Sequence, residues 1–300
     1  CLENRNRVTI TEPYNKRFIK DLSSKSKFHS ALKIKLPKKL KFLKFSKDLL
    51  KEKFDLIVIA LSLPGIDYIG KELKNFNIKT PILVLTKGLK FEKKHNKIFT
   101  ISEQLKKIYN LKNIFVLKGP CLAKELAKKN QTSVIIANKN IKAAKTIGKY
   151  ISTKYYSIEY SKDVTGIEVS SAIKNIYSMI IGAGQSLNSS SNLFQKSVGE
   201  MRYLIRYFKG KEETISGLAG VGDLYVSAAG GRNSKMGSYL GKGYTFKSAK
   251  KRFMKKDTVE GEQLAREIGP FILKKLDKKK IPLMISLLKA ILNNKKLKII

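Results

Sequence analysis

Two short stretches, ILVLT (82–86) and IFVLK (114–118), decide the fold class. Both are near-continuous apolar runs, and a glycine follows each of them within two residues. Such runs are typical of strands buried on both faces of a parallel sheet. The further runs VTIT, LIVIALS, SVIIA and YYSIE alternate with lysine-rich helical segments over the first half of the chain. The pattern predicts an α/β Rossmann-like domain with a parallel, doubly wound sheet.

The pattern changes after about residue 165, where the strand-like runs end. Apolar residues at three- and four-residue spacing then predict helices, and the glycine-rich breaks GLAGVGD and AAGGRN separate some of them. The predicted helical segments are 166–184, 192–208, 232–241, 246–253, 258–275 and 281–293. We therefore predict a dinucleotide-binding α/β domain over residues 1–164 and an all-α domain over residues 165–300.

One expected element of a dinucleotide-binding fold is absent from the sequence. No strand-like run is followed by G-x-G-x-x-G, a turn that normally lies about 20 residues before an acidic residue at the end of the second strand. Glu12 follows VTIT directly and fits that acidic position. Counting back from Glu12 places the turn before residue 1, so we expect the chain to be N-terminally truncated, without the first strand and its turn.

The net charge of +39 raises the question of a nucleic-acid or anionic-membrane partner. The basic residues are spread from end to end and are mostly Lys, whereas specific nucleic-acid readers depend on Arg and on aromatic residues along a groove. We attribute the charge to overall composition and predict no nucleic-acid partner. The apolar runs are too short to span a bilayer, and two cysteines favour a reducing compartment. We predict a cytoplasmic protein without a metal site.

The stretch VTGIEVSSAIKNIYSMIIGAG (164–184) predicts a helix with a lysine in an unusual place. Its isoleucines form one apolar face, and Lys174 lies at the edge of that face beside Ser170, Ser171 and Ser178. On position alone, a solvent-exposed lysine is the simpler interpretation. The alternative is that the small serines leave room for a substrate, on which Lys174 carries out proton transfer.

Five segments together resemble a known family. They are LTKGLK (85–90), GPCLAKELA (119–127), EVSSAIKNIY (168–177), GLAGVGDLYVSAAGGRNSKMG (217–237) and VEGEQLARE (259–267). Their order, spacing and domain context resemble those of the bacterial NAD(P)-dependent glycerol-3-phosphate dehydrogenases, over nearly the whole chain. The resemblance implies an oxidoreductase that interconverts sn-glycerol 3-phosphate and dihydroxyacetone phosphate by hydride transfer with NAD(P), for glycerophospholipid synthesis.

The resemblance implies that Lys174 and Asp223 are the catalytic residues. Hydride transfer to a ketone carbon leaves negative charge on the oxygen, so a proton donor such as a lysine ammonium must lie within hydrogen-bond reach. An aspartate beside it can orient the ammonium and accept a bond from a substrate hydroxyl. The implied substrate-binding residues are Lys87, Gly119, Cys121, Lys174, Asp223, Gly231, Arg232 and Asn233.

Two of these positions carry a specific chemical expectation. Arg232 follows a pair of glycines, and its planar fork of donors matches the oxygens of a phosphate group. Cys121 stands where the family usually has Ser or Thr, and a thiol is a weaker hydrogen-bonding partner than a hydroxyl.

The implied cofactor-binding residues are Glu12, Lys87, Ala123, Arg232, Val259 and Glu260. Glu12 favours NAD over NADP, because a carboxylate binds the ribose 2′-hydroxyl and repels a 2′-phosphate. Nearby lysines such as Lys16 leave NADP open.

Other interpretations of the protein's identity stay open, and so does its state of assembly. Another β-hydroxyacid-type dehydrogenase has the same two-domain plan, but a carboxylate substrate would not need the Gly-Gly-Arg-Asn phosphate element. A truncated, non-catalytic remnant or a basic binding protein is supported by the absent glycine turn and opposed by the intact Lys174, Asp223, Arg232 and Glu260. A homodimer is possible.

Overall fold

The computed structural model describes residues 4–12, 22, 27–29 and 32–299. Its strands, in chain order, are β1 (Thr9–Glu12), β2 (Phe28–His29), β3 (Ile34–Lys35), β4 (Lys41–Lys44), β5 (Ile57–Ile59), β6 (Ile82–Val84), β7 (Leu89–Glu92), β8 (Lys97–Thr100), β9 (Ile114–Lys118), β10 (Thr132–Ala137) and β11 (Tyr156–Ser161). The helices between them are α1 (Gly65–Asn75), α2 (Ile101–Lys107), α3 (Ala123–Ala127) and α4 (Ile141–Ile151). This alternation confirms the predicted α/β class for the first half of the chain.

The main sheet has the strand order β11-β10-β9-β6-β5. Its central strands β6 and β9 are fully buried, as their uninterrupted apolar sequences predict. Smaller two-stranded sheets pair β1 with β4, β2 with β3, and β7 with β8. The carboxyl ends of the neighbouring parallel strands β6 and β9 lie at one edge of the main sheet.

One pair in the main sheet departs from the predicted parallel arrangement. β5, β6 and β9 run parallel, and so do β10 and β11, but β9 and β10 are antiparallel. The connection between β9 and β10 contains only the five-residue helix α3, whereas the eleven-residue α4 connects β10 with β11. A parallel crossover normally needs a full helix, so the shorter connection fits the antiparallel pair.

From Val164 onward, the described chain is helical. Its helices are α5 (Val164–Gly182), α6 (Leu187–Tyr207), α7 (Asp223–Ala228), α8 (Arg232–Gly241), α9 (Phe246–Phe253), α10 (Glu260–Lys275) and α11 (Pro282–Leu292). These match the predicted segments to within a few residues, apart from the start of α6 and the short α7, which was not predicted.

Helix α5 is the centre of the helical part. Fifteen of its residues are buried, and its amino terminus is capped by the Asp163 carboxylate, which accepts a bond from the Gly166 amide at 2.9 Å. Helix α8 packs closely on α5, since a Cβ at Gly237 would lie 1.9 Å from the Met179 carbonyl oxygen. This close packing holds α5, which carries Lys174, against α8, which begins at Arg232.

None of the helices in the described part of the chain is long and apolar enough to cross a lipid bilayer.

Candidate active site

Lys87 and Gly119 lie at the carboxyl ends of two neighbouring strands, β6 and β9. The Lys87 Nζ donates to the Gly119 carbonyl oxygen at 3.3 Å and to Asp223 Oδ2 at 2.5 Å. Gly119 has a φ of +123°, and a Cβ there would lie 3.2 Å from the Val134 Cα. A side chain at this position would therefore be strained. The Lys87 side chain is 32% exposed and forms the solvent-accessible side of the cluster.

Lys174 approaches the same aspartate from the helical part. Its Nζ donates to Asp223 Oδ1 at 2.7 Å and to the Ser227 hydroxyl. Only 6% of Lys174 is exposed, so the prediction of proton chemistry rather than a solvated lysine fits its position. Burial and, to a smaller extent, the Lys87 charge lower the pKa of Lys174 to about 8, against the opposing effect of the Asp223 carboxylate. A lysine with this pKa can hold or release a proton near neutral pH.

Asp223 is held between the two ammonium groups by an irregular turn. A π-helical turn, Leu218–Gly222, precedes α7, and Gly220 in it has non-helical backbone angles. Such turns often occur at functional sites. Asp223 begins α7 and is 2% exposed. One buried carboxylate is thus shared by two lysines from different parts of the chain.

The serines beside Lys174 do not provide the predicted room for a substrate. Ser170, Ser171 and Ser178 are all completely buried. The Ser178 hydroxyl donates to the Asn175 carbonyl oxygen at 3.1 Å, within the same helix. These small residues therefore allow close helix packing, and Ser227 supplies the hydroxyl that contacts the lysine.

Arg232 and Asn233 form a second polar cluster at the start of α8. The Arg232 guanidinium binds the Glu260 carboxylate, and 53% of the arginine side chain is exposed. Asn233 donates to Asn175 Oδ1 at 3.1 Å and accepts a bond from the Gly261 amide at 2.9 Å. Since Asn175 follows Lys174 in α5, the second cluster adjoins the lysine–aspartate cluster.

Comparisons with known proteins identify the family. Residues 1–144 match the model of the NAD-dependent glycerol-3-phosphate dehydrogenase N-terminus, and residues 163–300 match that of the C-terminus. The chain belongs to the NAD-dependent glycerol-3-phosphate dehydrogenase family. The predicted family and the predicted class of enzyme, an NAD(P)-dependent oxidoreductase, are therefore confirmed.

Individual relatives agree with this assignment. The chain is 28% identical over 230 residues to an NADP(+)-dependent glycerol-3-phosphate dehydrogenase of Archaeoglobus fulgidus, covering 72% of this chain and 68% of that protein. It is 31% identical to a glycerol-3-phosphate dehydrogenase [NAD(P)+] of Bacillus velezensis, covering 63% of this chain and 57% of that protein. The aligned part therefore spans 57–68% of these two relatives' own length.

The fold also matches a solved structure. A crystal structure of glycerol-3-phosphate dehydrogenase from Coxiella burnetii superposes with a TM-score of 0.84 at 22% identity, covering 98% of this chain and 90% of that chain. The predicted fold class, an α/β Rossmann-like part followed by an all-α part, is confirmed.

The remaining site residues predicted from the family resemblance lie around the two clusters or outside them. Gly231 caps α8 directly before Arg232, and Cys121 and Ala123 are exposed beyond Gly119. Although the residue is exposed, desolvation by nearby protein atoms raises the pKa of the Cys121 thiol and the Lys87 charge opposes this shift, so the thiol is not activated as a nucleophile. The Val259 side chain is 2% exposed and packs into the helical core.

Glu12 lies apart from the lysine cluster in the sheet arrangement. It ends β1, which belongs to a two-stranded sheet rather than to the main sheet that carries Lys87 and Gly119. Lys16, considered above for NADP, lies outside the described residues.

The strand-end residues fit a bound NAD(P). Gly88 and Gly119 lack side chains at the sheet edge where such folds bind ligands, and both have positive φ angles. Lys87 and Arg232 present partly exposed cations nearby, which suit an anionic cofactor. The described residues contain no group of three His, Cys, Asp or Glu side chains placed to hold a metal ion.

Three polar residues at this site were not predicted from the sequence. Ser227 lies four residues after Asp223 in α7, and both contact Lys174. That spacing places them on one helix face, which was a usable signal. Lys118 ends β9 and is 2% exposed. Glu168, in α5, accepts bonds from the amide and hydroxyl of Ser102 at 3.0 and 2.5 Å.

Proposed function

We propose that this chain catalyses the interconversion of dihydroxyacetone phosphate and sn-glycerol 3-phosphate with NAD(P)H. The observation that carries the proposal is the sharing of one buried aspartate, Asp223, by Lys174 and Lys87 at the ligand-binding edge of the sheet. An adjoining cluster with an exposed arginine, Arg232, suits a phosphate group.

Lys174 is the proposed proton donor and acceptor. When bound, the reduced nicotinamide supplies a hydride to the ketone carbon. Lys174 gives its proton to the carbonyl oxygen, so the ketone becomes a secondary alcohol and the ammonium becomes a neutral amine. In the reverse direction, the neutral amine accepts the hydroxyl proton. Asp223 holds the ammonium in place at 2.7 Å and accepts a bond from a substrate hydroxyl.

Arg232 and Asn233 are the proposed phosphate-binding residues. Binding of a phosphate to Arg232 requires the guanidinium to share its donors between Glu260 and the phosphate, or to leave Glu260. Glu260 can then act on the cofactor side, as the family resemblance implies. Lys87, Gly119 and Cys121 complete the proposed substrate site, and Ala123 and Val259 complete the cofactor site.

NAD is the proposed preferred cofactor, because Glu12 ends β1 with a carboxylate. The test compares kcat/KM with NADH and with NADPH for the wild type. A preference for NADPH would remove the argument from Glu12.

The experiment that tests the function measures NADH and NADPH oxidation by the purified chain with dihydroxyacetone phosphate. A keto acid of similar size replaces the phosphate substrate in a parallel assay. The proposal expects turnover with the phosphate substrate and little with the keto acid. Equal or faster turnover of the keto acid would favour a β-hydroxyacid-type dehydrogenase, and no turnover of either would favour a non-catalytic chain.

A homodimer, a cytoplasmic location and the absence of a nucleic-acid partner stay proposals. Light scattering coupled to size-exclusion chromatography tests the first, cell fractionation tests the second, and a nucleic-acid binding assay over a range of salt concentrations tests the third.

A further inference from the structure

Lys118 is a fully buried cation that the proposed reaction does not use. It is the last residue of β9, between β6 and β10 in the main sheet, and is 2% exposed. Its Nζ donates to the Thr86 carbonyl oxygen at 2.7 Å and to the Val84 carbonyl oxygen at 3.2 Å. Val84 is the last residue of β6, and Thr86 lies two residues beyond it, directly before Lys87.

The Lys118 ammonium therefore connects the two strand ends of the candidate site. Residues 85–86 directly follow β6. The Leu85 amide donates to the Ile59 carbonyl oxygen, and the Thr86 hydroxyl donates to the Leu61 carbonyl oxygen. The bond from the Lys118 ammonium to the Thr86 carbonyl oxygen is a third hydrogen bond to this segment, and it comes from β9, which Gly119 directly follows. Lys87 is the next residue, and its ammonium donates to Asp223 and to the Gly119 carbonyl oxygen.

Burying a charged group at this position costs free energy. Burial lowers the pKa of Lys118 to about 8, which shows that the ammonium is disfavoured there. Of the charges that act on it, Glu168 and Asp223 favour the ammonium and Lys87 disfavours it. Lys118 thus lies in the electrostatic field of the same groups that form the site.

We propose that Lys118 is a positioning residue: by binding the Val84 and Thr86 carbonyls, it fixes the strand end that carries Lys87 and so holds Lys87 on Asp223. The proposal deepens the function proposed above, because it concerns the same site. It assigns Lys118 no contact with substrate or cofactor.

The first test needs no turnover and measures how fast Lys87 reacts with acetic anhydride, by mass spectrometry, in the wild type and in Lys118→Met. The ion pair with Asp223 protects the Lys87 amine from acetylation. Releasing Lys87 from Asp223 would speed it. The proposal expects acetylation of Lys87 to rise about threefold or more relative to exposed lysines. Unchanged or slower acetylation of Lys87 overturns the proposal.

The matched control is Lys250→Met. Lys250 is a partly buried lysine whose ammonium, like that of Lys118, is held by two backbone carbonyls, in this case those of Met254 and Asp257, but it lies in α9, outside the candidate site. Its replacement should leave the acetylation of Lys87 unchanged. If Lys118→Met does not fold, Lys118→Gln removes the buried charge with a shorter polar side chain. The same rise is expected there, and wild-type acetylation overturns the proposal.

The second test is a double-mutant cycle on kcat/KM. We expect Lys118→Met to lower kcat/KM about tenfold in the wild type and to have almost no further effect in a Lys87→Met background, because the two residues act in series. A general loss of stability would lower activity by the same factor in both backgrounds, and that outcome overturns the proposal. If the wild type shows no dehydrogenase activity, the proposed function fails, while the acetylation test still decides the role of Lys118.

Discussion

Among the buried carboxylates in the described part of the chain, Asp223 and Glu200 have different kinds of partner. Asp223 is 2% exposed and Glu200 is 6% exposed. Asp223 is shared by the ammonium groups of Lys87 and Lys174, and Lys87 opens the cluster to solvent. The partners of Asp223 are therefore two cations, one of which is accessible to solvent.

Glu200 has partners of another kind. It accepts bonds from the Tyr177 hydroxyl at 2.9 Å and from the amides of Leu283 and Met284 at 2.7 and 3.0 Å. These amides begin α11, so Glu200 satisfies donors that the helix leaves unpaired. Burial raises the pKa of Glu200, although the three bonds oppose the shift.

The comparison shows that burial alone does not identify a catalytic carboxylate. Lys174 and Tyr177 lie one turn apart on α5, so the same helix contributes to the proposed catalytic cluster and to the contacts of Glu200. The difference lies in the charge of the partners and in access from solvent. Four substitutions or conditions test this distinction.

The largest expected effect comes from Lys174→Met, which keeps the side-chain length and removes the proton donor. We expect kcat/KM for dihydroxyacetone phosphate to fall about 10²–10⁴-fold, the usual contribution of a general acid. Steady-state kinetics measures it, with Lys250→Met as the control. Activity close to that of the wild type would show that the buried lysine–aspartate pair is structural, as the Glu200 cluster is.

The next effect concerns the phosphate side of the site. Arg232→Met should raise KM for dihydroxyacetone phosphate about 10- to 100-fold, because the charge-assisted bond to the phosphate is lost and Glu260 loses its cationic partner. Turnover of unphosphorylated dihydroxyacetone should change much less. Arg266→Met removes a comparable arginine–glutamate pair within α10 and should leave KM unchanged. An equal loss for both ketones would argue against phosphate recognition by Arg232.

A smaller effect is expected from pH. Burial lowers the pKa of Lys174 to about 8, and the ammonium is the form that donates a proton. The kcat/KM for ketone reduction should therefore fall as pH rises through about 8, and that for alcohol oxidation should rise over the same range. Because unfolding would lower both rates, opposite slopes distinguish titration of the lysine from loss of structure.

Much of the fold could be predicted from the sequence because local patterns determine it. Apolar runs located β6 and β9, and helical spacing located α9 at its observed ends. The antiparallel direction of β10 could not be read in this way, since it depends on how a short connection packs. The candidate site depended on the family resemblance, because Lys174 and Asp223 are 49 residues apart in sequence.

Lys118 and Glu200 are buried charged residues that were not predicted, although the sequence contains a signal for each. Lys118 ends an otherwise apolar strand, and Glu200 lies in the buried stripe of α6 with Met201 and Leu204. A charge within an apolar pattern identifies a residue that needs partners. It does not say whether those partners are backbone groups or reactive side chains, which only the tertiary structure supplies.

The smallest expected effect on activity comes from Glu200→Gln, which tests the structural half of the comparison. A glutamine has one acceptor oxygen, so at least one amide at the start of α11 loses its partner, and we expect the free energy of unfolding to fall by about 1–3 kcal/mol. Denaturant unfolding measures this change. Glu262→Gln, at a partly exposed pair, is the control and should cost less than about 1 kcal/mol.

The kinetics of the folded Glu200→Gln variant decide how separate the two clusters are. Below its unfolding range, kcat and KM should equal those of the wild type, because Tyr177 contacts Glu200 and not the lysine–aspartate pair. A fall in kcat without a fall in stability would mean that Glu200 sets the position of Lys174 through α5. The two buried carboxylates would then belong to one functional unit, and the nature of their partners would no longer separate them.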